Sequence, residues 1–222
     1  HNSTSKFGLW NDSAPNFVTF APDLKAEDLN PENRPDTIIL PVFRALSEVV
    51  VHKKWNPIDF SKPGVLKASE YLLVGQSVYP NHEMMVGNEL GVIMETAYQK
   101  SYTADASKLE IPAGINTRLK IDGKANPKIA SGILMEPPSI HSVSVTVEFA
   151  WEPSHKLTNI DEFWNKLGTY DAEGEQYRRI VTEILRYHEI SLVPHGADPY
   201  AQRVNEKGEI VNPIYADRVY NS

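Results

Sequence analysis

From Ser139 to Trp151 the chain reads Ser-Ile-His-Ser-Val-Ser-Val-Thr-Val-Glu-Phe-Ala-Trp, apolar and polar residues alternating almost without a slip. A period of two is the mark of a strand with one buried face, because successive side chains point to opposite sides. Val143, Val145, Val147, Phe149 and Trp151 share the apolar side, and Ser142, Ser144, Thr146, Glu148 and Ala150 share the other. Such a strand needs a sheet and a core to receive its apolar face. Sixteen prolines against twelve glycines, with many short apolar runs, favour a loop-rich β-containing fold over a helical bundle.

Other elements can be placed around this strand. Residues 1–36 are polar and proline-punctuated, and read as a partly docked arm. Thr37–Leu40 begins a β-rich run continuing to Val51, and Pro41 within it points to an edge or a bend. Ser61 followed by Pro63 opens a short helix through Leu66, Leu72 and Leu73. Val78-Tyr79 leads into the turn-forming Pro80-Asn81-His82-Glu83, which sets His82 just beyond a strand end. Leu90–Thr96 and Asn116–Asp122 read as strands, with a surface loop from Tyr98 to Ser107 between them. Asn126-Pro127 introduces a helix carrying Ile129, Ile133 and Leu134, and Asn159 caps another carrying Phe163, Trp164 and Leu167. Tyr177, Ile180, Val181, Ile184 and Leu185 fall at i, i+3, i+4, i+7 and i+8, which predicts an amphipathic helix on the core. Tyr187–Val193 then forms a strand ending at Pro194-His195-Gly196-Ala197-Asp198-Pro199.

The net charge of −7 argues against nucleic acid or an anionic membrane as a partner, since both would repel the chain. The absence of cysteine removes disulfides, thiolate chemistry and cysteine-bound zinc together. No apolar run approaches the roughly 18 residues of a membrane span, so a soluble protein is expected. There is no His-Glu-x-x-His run for a metal, no Gly-x-Ser-x-Gly elbow and no phosphate-binding Gly-Lys-Ser/Thr loop. What remains is a strand serine, which becomes a nucleophile only if a base takes its proton. His82 is the histidine best placed for that, although on the residues alone a non-catalytic histidine is the more common explanation. His188 and Glu189 are adjacent on a strand and face opposite ways. Glu189 shares a side with Ser191, and His188 shares one with Ile190 and Leu192, which makes His188 the more core-facing if that side is buried; before any resemblance is considered, Glu189 reads as a solvated strand charge. Lys120, on its own strand, is an alternative base.

Four stretches in order, Asn81-His82 followed by Val86-Gly87, the helix Ile129–Ile133, the strand Ser142–Thr146, and Glu189–Val193 ahead of Gly196-Ala197-Asp198-Pro199, resemble the capsid-maturation (prohead) proteases of tailed phages. That family is related in fold to the herpesvirus assemblins. The resemblance spans about Ile38 to Val204, and the last two stretches are its most specific part. It implies an α+β, mainly β protein, a small closed β-barrel surrounded by short helices, with the barrel over 37–204 and a tail over 205–222. It also implies a serine endopeptidase whose triad runs histidine, serine, then a third member on a late strand. Residue by residue, His82 matches the general base, Ser144 the nucleophile and Glu189 the third-member position, where the herpesvirus branch has a second histidine. Ser142 lies on the same face as Ser144, and only the match to the family pattern favours Ser144.

The herpesvirus branch places an arginine pair shortly after its late strand, where this chain has Ala197-Asp198. Backbone N–H groups around His195, Gly196 and Ala197 are therefore the expected oxyanion donors. The implied substrates are scaffold and major capsid protein segments and the chain itself, with no cofactor and no metal. The implied place is inside the assembling prohead in the host cytoplasm. A homodimer is implied by the herpesvirus branch only. Two other functions fit the residues: a catalytically inert capsid-assembly or scaffold protein on the same barrel, and a Ser-Lys autoprotease using Lys120.

Overall fold

The computed structural model describes residues 38–220 apart from 106, 158, 206 and 207. The arm expected over residues 1–36 lies outside the described residues. The strands in chain order are β1 (Ile38–Ile39), β2 (Val42–Ser47), β3 (Val50–Val51), β4 (Ile58–Asp59), β5 (Ser77–Pro80), β6 (Gly91–Gln99), β7 (Tyr102–Thr103), β8 (Glu110–Ile111), β9 (Gly114–Asp122), β10 (Ser142–Pro153) and β11 (Arg179–Val193). The helices are α1 (Val65–Ser69), extended by a 3-10 turn over Glu70–Leu73, α2 (Pro127–Leu134), α3 (Ile160–Lys166) and α4 (Pro213–Tyr220). The fold is α+β and mainly β.

The alternating stretch is β10, and its apolar side faces inward as its period requires. Val143 is fully buried, and Val145, Val147 and Phe149 pack against the core. β10 lies antiparallel to β11, from Ser142 opposite Val193 to Pro153 opposite Arg179. Along its other edge β11 runs parallel to β5 at one end and to β4 at the other. The hydrogen-bonded order of the sheet is β1-β9-β6-β5-β11-β4-β3, with β2 on β9 and β10 on β11 as side branches.

This sheet curls into half a barrel and does not close, which corrects the closed barrel expected from the resemblance. The physical reason lies between β10 and β2, which are not paired with each other. Residues 201–204 run between them and make single bridges, Ser142 with Gln202 and Phe43 with Arg203, instead of a continuous ladder. Beyond those contacts the outer edge of β10 carries no partner strand among the described residues.

The helix expected over residues 177–185 is not formed; this segment belongs to the 15-residue β11. The cause is three register shifts against β10, after Thr146, Glu148 and Ala150. Each leaves one residue of β11 without an opposite number: His188, Leu185 and Thr182 in turn. The buried positions therefore fall at Val181, Ile184, Tyr187 and Ile190, every third residue. A bulged strand with that spacing imitates helical periodicity. The β-branched Ile180, Val181, Thr182 and Ile184 suit a pleated surface, and the long partner β10 decides the matter.

The remaining elements differ in smaller ways. Helix α2 starts at Pro127 behind Asn126, which occupies the cap position without a capping hydrogen bond from its side chain. Asn159 does cap α3, accepting from the Asp161 N–H at 2.8 Å. The segment expected as a surface loop after Tyr98 holds β7, paired with β8. The expected tail folds back through Ile210 and α4, where Ile210 and Ala216 are buried. No helix among the described residues is long and apolar enough to cross a membrane.

Candidate active site

The site is assembled where β5, β10 and β11 lie side by side. β5 runs parallel to β11, with Val78, Tyr79 and Pro80 opposite Ile190, Ser191 and Leu192. The Asn81 N–H extends this ladder by donating to the Leu192 carbonyl at 3.0 Å. The chain then reverses at once: Asn81 and His82 have φ of 49° and 61°, and the Glu83 N–H donates back to the Pro80 carbonyl at 2.9 Å. Two successive left-handed residues closed by such a bond make a type I′ turn. Asparagine tolerates that backbone readily, whereas histidine does so at some cost in strain.

The turn sets His82 over Glu189. The His82 Nδ1 lies 2.7 Å from Glu189 Oε1. Glu189 is fully buried, with its side chain 0% exposed against 39% for His82. A buried carboxylate needs donors, and three converge on this one. Thr146 donates to Oε1 at 2.5 Å, Ser191 donates to Oε2 at 2.6 Å, and His82 supplies the third. The Ser191 hydroxyl in turn accepts the backbone N–H of His82 at 3.0 Å, which ties the turn to β11. An ionised carboxylate only accepts, so the proton between the two groups is assigned to Nδ1, leaving the lone pair on Nε2. Nε2 has no hydrogen-bond partner among the described residues.

Ser144 sits next to this cluster. Residues opposite each other in an antiparallel ladder share a face, and Thr146 is opposite Glu189 while Ser144 is opposite Ser191. The two pairs follow one another along the ladder, roughly 7 Å apart. An imidazole hydrogen-bonded at both nitrogens spans a gap of that size. Ser142 is one pair further away, opposite Val193, and is buried against the bridge to Gln202. The structure thus separates two serines that alternation alone leaves equivalent.

Three expectations change here, and two residues are added. Glu189 is a buried, fully hydrogen-bonded carboxylate instead of a solvated strand charge. His188, expected to face the core, is the bulged residue after Thr146; it turns outward, 3.7 Å from Glu148, and Tyr187 takes the buried position. Lys120 is exposed on β9 opposite Val92, and β9 and β10 are not paired in the sheet, so the structure does not bring it to Ser144 by strand pairing. Thr146 and Ser191 are site residues that the motif reading missed. Their signal was parity: each lies two residues from a candidate, on the same face.

The loop after β11 holds the residues expected as oxyanion donors. Gly196 lies so close to β10 that a Cβ there would stand 2.4 Å from the Val143 carbonyl oxygen. Ala197 and Asp198 line a pocket of about 90 Å³ with Ser144 and with Val143, Val145 and Val147 of the apolar side of β10; His82 and Glu189 do not line it. The N–H groups of His195, Gly196 and Ala197 donate no backbone hydrogen bond among the described residues. The His195 ring is turned to α4, with Nδ1 3.2 Å from the Tyr215 hydroxyl. Burial pushes the Asp198 carboxyl above its ordinary range, while hydrogen bonds from Tyr200 and Ser47 and the charge of Arg44 act the other way. Burial likewise holds the Arg44 guanidinium below its ordinary value.

Among the described residues no cluster of three or more histidines and carboxylates is arranged to hold a metal ion. Compared with protein-family models, with curated proteins and with solved structures, the chain finds no match.

Proposed function

We propose that this chain is a serine endopeptidase of the prohead type, cleaving scaffold and capsid-protein segments, and itself, inside the assembling head. The single observation that supports it is the hydrogen bond between His82 and the buried Glu189, on the same ladder face as Ser144 and one pair away from it. A buried carboxylate surrounded by hydroxyl donors and offered to one imidazole nitrogen is what orients a general base. The resemblance in four ordered stretches supplies the substrate class and the place of action. A curled sheet ringed by short helices is compatible with a distant herpesvirus-protease-like fold.

In this mechanism the Ser144 hydroxyl attacks the scissile carbonyl carbon and passes its proton to His82 Nε2. Glu189 holds the Nδ1–H tautomer and stabilises the imidazolium; Thr146 and Ser191 hold Glu189. The tetrahedral oxyanion is met by N–H groups of the 195–197 loop. The imidazolium returns its proton to the leaving amine, and water then releases the acyl group from Ser144 by the same relay. Replacing Ser144 by alanine is expected to abolish self-cleavage and scaffold cleavage, with a loss on the order of 10⁶ in kcat. Ser142→Ala is expected to retain most activity. Cleavage by Ser144→Ala protein would refute the assignment, and a fluorophosphonate that labels the native protein no faster than the denatured protein would favour the inert capsid-assembly reading.

A further inference from the structure

Asp198 is buried, only 6% exposed, and the chemistry above does not use it. Its two oxygens are committed in two directions. Oδ2 accepts the N–H of Ser47 at the end of β2, at 2.7 Å and 151 residues away in sequence. Oδ1 accepts the N–H of Tyr200 at 2.8 Å and closes the loop on itself. Its backbone carbonyl accepts from the Ala201 N–H at 3.1 Å. The Ala201 carbonyl then accepts the N–H of Val143 at 3.0 Å, so the same segment is fastened to β10 at the residue before Ser144. On the near side Gly196 rests against the Val143 carbonyl. The loop is gripped by β10 at two points, and Asp198 supplies the grip that reaches across to β2.

Burying a carboxylate is unfavourable unless its lone pairs and its charge are both met. The lone pairs are met by two backbone donors. The charge is met in part by Arg44, which is fully buried and donates to the neutral Asn116 Oδ1, Gln99 Oε1 and Pro112 carbonyl. A plain apolar residue would fill the same space without either requirement. A carboxyl group at this place does one thing an apolar residue cannot: its two oxygens fix the loop to two backbone N–H groups of defined direction.

We propose that Asp198 is a positioning residue, holding residues 194–200 so that the N–H groups of Gly196 and Ala197 stand at Ser144, where the oxyanion develops. This rests on the reading of Ser144 as the nucleophile. Because the oxyanion exists only beyond the ground state, a misplaced loop lowers kcat and leaves KM almost unchanged.

The test uses the full chain with two probes, a fluorophosphonate that labels the active serine and p-nitrophenyl butyrate as a chromogenic ester. Asp198→Asn keeps the shape but offers one acceptor oxygen for two N–H donors. Asp198→Glu keeps the charge but pushes the loop outward. Both variants, checked for native circular dichroism, are expected to lose about 10²-fold in labelling rate and in kcat per folded molecule, with KM within about twofold. If the Asn variant does not fold, the Glu variant decides. A folded variant that labels at the wild-type rate overturns the proposal and leaves the nucleophile in place. A rate loss equal to the loss of folded protein also overturns it, since Asp198 is then merely structural. Wild-type protein that is not labelled at Ser144 overturns the nucleophile and this proposal with it.

Discussion

Glu189 is the residue whose surroundings leave least freedom. It is fully buried with three donors on two oxygens, so each donor matters in proportion to the charge it meets. In Glu189→Gln one oxygen becomes an amide that donates, and at least one of Thr146, Ser191 and the His82 Nδ1–H then faces another donor. In the proposed mechanism, the imidazole tautomer that takes the Ser144 proton is then no longer held. The expected loss in kcat is on the order of 10⁴, read by ester hydrolysis, against a stability loss of about 1–3 kcal/mol by urea unfolding. His82 and Ser144 were singled out in the sequence only by the match to a family pattern, since serine is common in this chain and Ser142 shares the face of Ser144. The burial of Glu189 was not legible, because it depends on a turn 107 residues away bringing an imidazole over it.

Among the elements, β11 carries the largest difference between sequence and structure. Its extra residues at Thr182, Leu185 and His188 convert a period of two into a period of three, and the eye then sees a helix. The two readings differ in a measurable way. In a helix Ile184 and Leu185 would share the buried stripe, whereas in the bulged strand Ile184 is buried and Leu185 is half exposed. Ile184→Ala is expected to lower stability by about 2–5 kcal/mol, and Leu185→Ala to change it by no more than about 0.5 kcal/mol, by urea midpoint at constant m-value. β10 was read correctly from its alternation because its own residues stay in step; the register shifts add residues to its partner. α2 and α3 were legible from Asn126-Pro127 and Asn159, local signals that need no tertiary information.

At the scale of the molecule, one wall of the half barrel is tied together by Arg44. The guanidinium on β2 donates to Asn116 on β9, to Gln99 at the end of β6 and to the Pro112 carbonyl. These are the strands that form one wall of the sheet. Arg44→Ala would take the guanidinium from the buried Asn116 Oδ1, from Gln99 Oε1, which keeps the Asn116 amide as a donor at 2.9 Å, and from the part-buried Pro112 carbonyl, and would remove the positive charge that acts on Asp198. A loss of about 3–5 kcal/mol is expected by urea or thermal unfolding. Nothing in the sequence marks Arg44, since a single basic residue in an apolar strand carries no motif; its role follows from the pairing of β2 and β6 with β9, which sets Arg44 opposite Asn116.

The open outer edge of β10 has a consequence for the molecule in company. An unpaired strand edge is a template on which a second copy can add its own strand, and long flat edges promote aggregation. Here the three bulges bend and twist the β10–β11 pair, and exposed Glu148 lies along β10 itself. A docking copy would have to follow that bend and bring like charges toward each other. The same irregularities that disguised β11 as a helix therefore guard β10 against adding further strands when many copies are crowded together.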